Sequence, residues 1–215
     1  MTAIIRYAMQ EALRRKVFLV VLLLTVLFLG LFWLANHFTF RDLANISPPS
    51  DTDVDARTFA GAILLGLAMF ATLFLGVVLA VFLTLGVVSG DAERGLLQPL
   101  VVRPVGRGQL LGARFVGAAA VCALYVAGVY YASMAIVGTT GHWWPSRIVV
   151  PALELAGAVV IVTALSLLGS IALSATANGI AIFMLFGAGL VAGLLGSIGH
   201  ALDSHGISHA ATIVA

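Results

Sequence analysis

The chain has 215 residues, of which 61% are hydrophobic and only 9% charged, and its mean hydropathy is +1.13. Soluble domains carry roughly 25% charged residues, so this composition excludes a water-soluble globule and indicates an integral membrane protein. The formal net charge is +2, with the basic residues gathered in a few places rather than in a stripe, which argues against nucleic-acid binding.

No period-two alternation recurs, so helices rather than a barrel must satisfy the backbone in lipid. The expected fold is all-α: a polytopic helical membrane protein with an N-terminal amphipathic helix, residues 1–16, and a single transmembrane domain, residues 17–215. The lone cysteine, Cys122, lies inside an apolar run and forms no internal disulfide, so cysteine usage is silent on redox compartment.

Residues 4–16 put Ile4, Ile5, Ala8, Met9, Ala12 and Leu13 on one stripe and Arg6, Gln10 and Arg14 on the other. That pattern suits a helix lying on a membrane surface, or a lead-in whose Arg14, Arg15 and Lys16 orient the next segment. The first span is expected over 17–35, roughly 28 Å of helix at 1.5 Å per residue, which is too long for a cleaved signal peptide. Residues 36–58 read as a polar connector with Pro48, Pro49, Asp42, Asp51, Asp53 and Asp55. A calcium loop at Asp51, Asp53 and Asp55 would need a glycine and a distal glutamate that are missing, so the connector reads as a solvated acidic loop.

The second span, 59–88, would measure roughly 45 Å if fully helical. It therefore tilts, or emerges and delivers the next segment, 89–114, to the aqueous side. That segment carries Asp91, Glu93, Arg94, Arg103, Arg107 and Arg114 between two long apolar runs. Pro99, Pro104 and the Gly106-Arg107-Gly108 turn forbid one continuous helix through it. A short helix is expected, capped by Ser89, with Leu96, Leu97, Leu100 and Val101 on its apolar side. A piece this small does not fold alone; it is built to dock.

Three further spans are expected over 115–137, 149–173 and 180–198, with Trp143 and Trp144 at a membrane interface and a short uncharged link at 174–179. Eight lysines and arginines fall in the N-terminal and central segments, against Arg41, Arg57 and Arg147 on the other side, so the positive-inside rule makes the N-terminus and segment 89–114 cytoplasmic. Five spans leave the tail outside, and it turns apolar again at 210–215, as the start of a sixth span would. Small residues recur every four positions at Ala68, Thr72, Gly76, Ala80 and Thr84, and again at Gly189 and Gly193. Each row fits helix packing inside one subunit or between two copies.

Catalysis finds little support in the chain: it contains no phosphate loop, nucleophile elbow, H-E-x-x-H or paired-cysteine motif. Glu154 is the one carboxylate well inside an apolar run. It reads either as part of a transport path or as a structural partner of Arg147 near the interface. His200, His205 and His209 are candidate metal ligands, but Gly206 interrupts any helix there and a polar loop is the plainer reading.

The run DAERGLLQPLVVRPVGRGQLLGAR resembles the first cytoplasmic loop of the type-2 ABC exporter permeases. The matching residues are Glu93 and Gly95, Pro104 and Arg107, and Gly112 and Arg114. The N-terminal helix at 4–16 is similar to the family's elbow helix, and the turn SATANGIA at 174–181 is similar too.

The resemblance implies an ABC transporter permease at the bacterial or archaeal inner membrane, multi-pass and not itself an enzyme. It also implies a dimer with a second copy or a related permease, and two separate ATPase subunits that bind ATP and Mg. No cofactor is expected in this chain. The loop would supply a coupling helix seated in the ATPase, made by Asp91, Glu93, Arg94, Gly95, Leu96, Leu97, Leu100, Arg103, Pro104 and Arg107. Uniformly apolar spans favour a hydrophobic or amphipathic substrate. Two other classes stay open: a force-transmitting subunit that moves no substrate, and an accessory protein or channel without an ATPase.

Overall fold

The computed structural model describes residues 16–45, 56–84 and 107–201. Five α-helices account for nearly all of them: α1 Lys16–Asn45, α2 Ala56–Thr84, α3 Arg107–Gly141, α4 Val149–Ala172 and α5 Ala175–Ala201. Each contains a stretch long and apolar enough to cross a membrane: Leu19–Leu43, Ala56–Thr84, Leu111–Gly141, Val149–Ala172 and Ala175–Gly196. No strand occurs among the described residues, and the fold is a polytopic all-α membrane protein.

Several boundaries differ from those expected. Asn36 does not end α1, which runs on through nine further residues to Asn45. Its side chain is buried, and its Nδ2 donates to the Phe32 carbonyl at 2.7 Å, while the Thr39 hydroxyl donates to the Ala35 carbonyl at 2.9 Å. Polar side chains that bond back into the preceding turn are compatible with a continuing helix. Helix α3 likewise starts at Arg107 rather than at 115 and ends at Gly141 rather than 137. Here Thr139 donates to the Ala135 carbonyl at 2.8 Å, and Thr140 to that of Ile136.

The expected link at 174–179 shrinks to Leu173 and Ser174. Leu173 turns extended and its N–H reaches the Gly169 carbonyl at 2.9 Å. Ser174 then caps α5, its carbonyl accepting the Asn178 N–H at 2.9 Å and its Oγ the Ala177 N–H at 3.4 Å.

The helices run alternately up and down, so the start of α1, the end of α2, the start of α3, the end of α4 and the start of α5 share one end of the bundle. This is called the near end below. Helices α2, α3 and α4 form the centre; α1 lies against α2 and α3, and α5 mainly against α4. In lipid the apolar surroundings reward no simple burial, so helix association depends on close packing of small residues and on hydrogen bonds. The α2 row Ala68, Thr72, Gly76, Ala80 and Thr84 is buried throughout, which resolves that row as packing within the subunit. At its middle, a β-carbon added to Gly76 would lie 2.5 Å from Val126 of α3 and 2.9 Å from Val159 of α4. Glycine there lets three helices meet.

At the far end the packing is aromatic. Trp143 turns inward, and a β-carbon at Gly61 would come within 2.6 Å of its ring, while Trp144 covers Gly138 from the outside and stays half exposed. Only Trp144 of this pair therefore presents itself as a membrane-interface residue. Outward faces of α1 and α4 carry exposed Leu23, Val26, Leu31, Leu153, Ile161 and Leu168, the surface that lipid tails require.

Candidate functional site

The charged segment joins the bundle at the near end, between Thr84, the last residue of α2, and Arg107, the first of α3. Residues 85–106 lie outside the described part, and with them the proposed docking residues Asp91, Glu93, Arg94, Gly95, Leu96, Leu97, Leu100, Arg103 and Pro104. The elbow helix, apart from Lys16, lies outside it too, as do the acidic trio Asp51, Asp53 and Asp55 and the tail residues His205 and His209. His200 falls within α5.

What the structure does describe is the ground on which that segment stands. Thr84 is 1% exposed, and its Oγ1 lies 2.6 Å from Ser166 Oγ of α4. Asn178 of α5, fully buried, donates through Nδ2 to the Ser166 carbonyl at 2.8 Å and lies 3.4 Å from Ser166 Oγ. Thr84 Oγ1 also lies 2.9 Å from its own helix's Ala80 and Val81 carbonyls. All these contacts are satisfied together when Thr84 donates to its own helix and Ser166 donates to Thr84 while accepting from Asn178. Three helices are thus tied by polar groups in a region where each unpaired group would cost free energy.

The cross-link needs a close approach. Gly169 stands one turn below Ser166 on α4, and a β-carbon there would overlap Asn178 Oδ1. Among the described residues that oxygen has no hydrogen-bond partner. Above the cross-link, Cys122, Val126 and Val159 are fully buried, and Thr25 of α1 hydrogen-bonds Tyr125 of α3.

Glu154 and Arg147 are both exposed, and among the described residues no ion pair joins them. Glu154 shares the outward face of α4 with Val150, Leu153 and Ile161 rather than pointing into the bundle. Gly189 and Gly193 are also exposed on α5, unlike the small-residue row of α2. No group of three or more metal-ligating side chains occurs among the described residues.

Thr84, Ser166, Gly169 and Asn178 are not legible as a unit in the sequence. One signal for it was present: an asparagine and two hydroxyl residues placed at the ends of otherwise apolar spans, where polar side chains need partners. Comparison with curated proteins and with solved structures returned no match. A family model does match, over residues 2–206: ABC-2 family transporter protein.

Proposed function

The chain belongs to the ABC-2 family of transporter membrane proteins, and from that footing we propose that it is an exporter permease driven by separate ATPase subunits through residues 89–114. The family's members are transmembrane subunits rather than ATPases, so hydrolysis belongs to a partner. In this reading two ATPase subunits, holding ATP and Mg, sit at the near end, and the N-terminus and the near end are cytoplasmic at the inner membrane.

The observation that carries the proposal is the hydrogen bond between Thr84 and Ser166. The charged segment is rooted at one side in α2, which this bond and Asn178 tie to α4 and α5, and at the other side in α3, which packs against α2 and α4. A push on Asp91 to Val101 therefore reaches the central helices directly rather than a peripheral one. Nucleotide binding biases the bundle between two packings, closed toward the near end and open toward the far end. A second copy or a related permease completes the membrane unit. The exposed Gly189 and Gly193 suit close packing against a helix outside this chain, and the apolar surfaces suit a hydrophobic or amphipathic substrate.

The test is co-purification of the ATPase with the permease in nanodiscs, comparing wild type with Glu93→Ala/Leu97→Asp. The wild type is expected to retain the ATPase and support hydrolysis, and the variant to release or uncouple it. Unchanged association and unchanged hydrolysis would remove segment 89–114 from the coupling path.

A further inference from the structure

Helix α4 turns one row of its surface away from the bundle. Val150, Glu154, Gly157, Ile161, Ala164 and Leu168 follow one another at alternating steps of four and three, and all but the half-buried Ala164 are exposed. Such steps keep a row on one side of a helix and form the seam along which two parallel helices pack. Gly157 lies within the row, and a β-carbon there would meet nothing within 4 Å, so the backbone is bare to a helix arriving from outside.

The apolar members of this row need no partner but lipid. Glu154 does. Helix α4 has 24 residues, roughly 36 Å of rise, and Glu154 stands about 8 Å along it, inside an apolar layer of about 30 Å centred on the helix. Carboxylates at such a depth ordinarily face the interior of a bundle or an opposite charge. Arg147, two residues ahead of α4, is also exposed, and among the described residues neither side chain has an ion-pair or hydrogen-bond partner.

We propose that this row is the contact with a second copy of the chain, in which Glu154 of each copy pairs with Arg147 of the partner subunit. The proposal rests on the reading that a second permease completes the membrane unit, and it names that permease as the chain itself. Two copies inserted in the same direction are related by a two-fold axis along the membrane normal, so their α4 helices run parallel and one surface is used twice. A contact of that kind needs a surface that complements itself. Helix α4 and its lead-in supply both signs, the cation just outside the helix and the anion inside it.

Side chains on a helix lean toward its N-terminus, which carries the Glu154 carboxylate toward the level of Arg147 of the partner subunit. A pair within one chain is the plainer alternative. Side chains that meet on one helix surface are three or four positions apart, whereas these two are seven apart and do not pair in the structure. Arg147 alone could rest at the headgroups as interfacial arginines do, but that leaves Glu154 without a counter-charge.

The test co-expresses two differently tagged forms of the full chain, one carrying Arg147→Glu and the other Glu154→Arg, and counts the dimers by native mass spectrometry. Each variant paired with itself sets like charges together at both contacts; the mixed dimer restores both pairs with the signs exchanged. Mixed dimers are expected to exceed either like dimer by at least about tenfold, against the roughly twofold excess of random assortment. Pairing within one chain gives no such preference, because each variant then carries its own clash, so random assortment overturns the contact. Both positions are exposed, and the unfolding temperature of each variant checks the fold.

A second measurement leaves the charges alone. In a Cys122→Ala background, Gly157→Cys is expected to cross-link to its own copy on mild oxidation, and Leu124→Cys, at a 69% exposed position on α3, is not. Equal cross-linking at the two positions overturns the seam. A chain that stays monomeric, or that pairs only with a different permease, overturns the proposal and leaves coupling through residues 89–114 standing. Loss of the ATPase from an intact dimer would do the reverse.

Discussion

Gly169 of α4 and Asn178 of α5 meet so closely that a single methyl group on the glycine would overlap the amide oxygen of the asparagine. Asn178 is fully buried and its amide holds the Ser166 carbonyl at 2.8 Å, so it has no room to retreat without breaking that bond. Gly169→Ala is therefore expected to destabilise the bundle by about 1–3 kcal/mol, read as a lowered unfolding temperature in detergent. Gly169→Ala/Asn178→Ala relieves the overlap, so the two changes should combine to less than their sum. Strict additivity would show that the two residues do not interact.

Gly76 makes a second test of close approach, with a control on the same helix. Gly76→Val drives a side chain into Val126 and Val159, whereas Gly66→Ala enters open space at an exposed position. The first is expected to cost about 1–3 kcal/mol or more and to broaden the size-exclusion profile; the second to change stability by less than about 0.5 kcal/mol. Similar behaviour of the two variants would contradict the three-helix contact.

Cys122 is 0% exposed at the centre of the bundle and is the chain's one thiol. A fluorogenic maleimide should leave it unmodified in the folded protein and label it only as the helices separate. Rapid labelling well below the unfolding transition would mean that the α2–α3–α4 centre opens on its own.

Thr84 tests the transmission of force. Thr84→Val keeps the shape but removes the hydroxyl that Ser166 needs, at a cost of about 1 kcal/mol or less for one interhelical hydrogen bond. On the coupling proposal the variant still binds its ATPase partner but loses transport-linked stimulation of hydrolysis. Retained stimulation would move the transmission path away from the α2–α4 contact.

Much of the architecture is legible in the residues because lipid imposes one rule: each apolar run must satisfy its own backbone as a helix. Five spans follow from composition alone, and the buried row from Ala68 to Thr84 follows from its spacing of four. The ends were harder to read. Asn36, Thr39, Thr139 and Thr140 look like loop residues, yet they hydrogen-bond into the preceding turn and the helices continue past them. Trp143 and Trp144 look equivalent, but Gly61 gives one of them a place inside. The cross-link of Thr84, Ser166 and Asn178 joins residues as many as 94 positions apart, a pairing that no local pattern specifies.

The uneven grip on α5 has a mechanical consequence. Its first half is held by Asn178, by Ile182, and by Phe183 and Phe186 against Phe74, whereas from Gly187 to Gly196 only Ala192 is buried. Such a helix is a lever pinned near one end. From Phe186 to Ala201 it measures about 22 Å, so a rotation of roughly 10° about the end of that grip would carry its last residue through about 4 Å. A small tilt imposed on the first half of α5 would thereby be enlarged at the opposite face of the membrane, without any change in the helix itself.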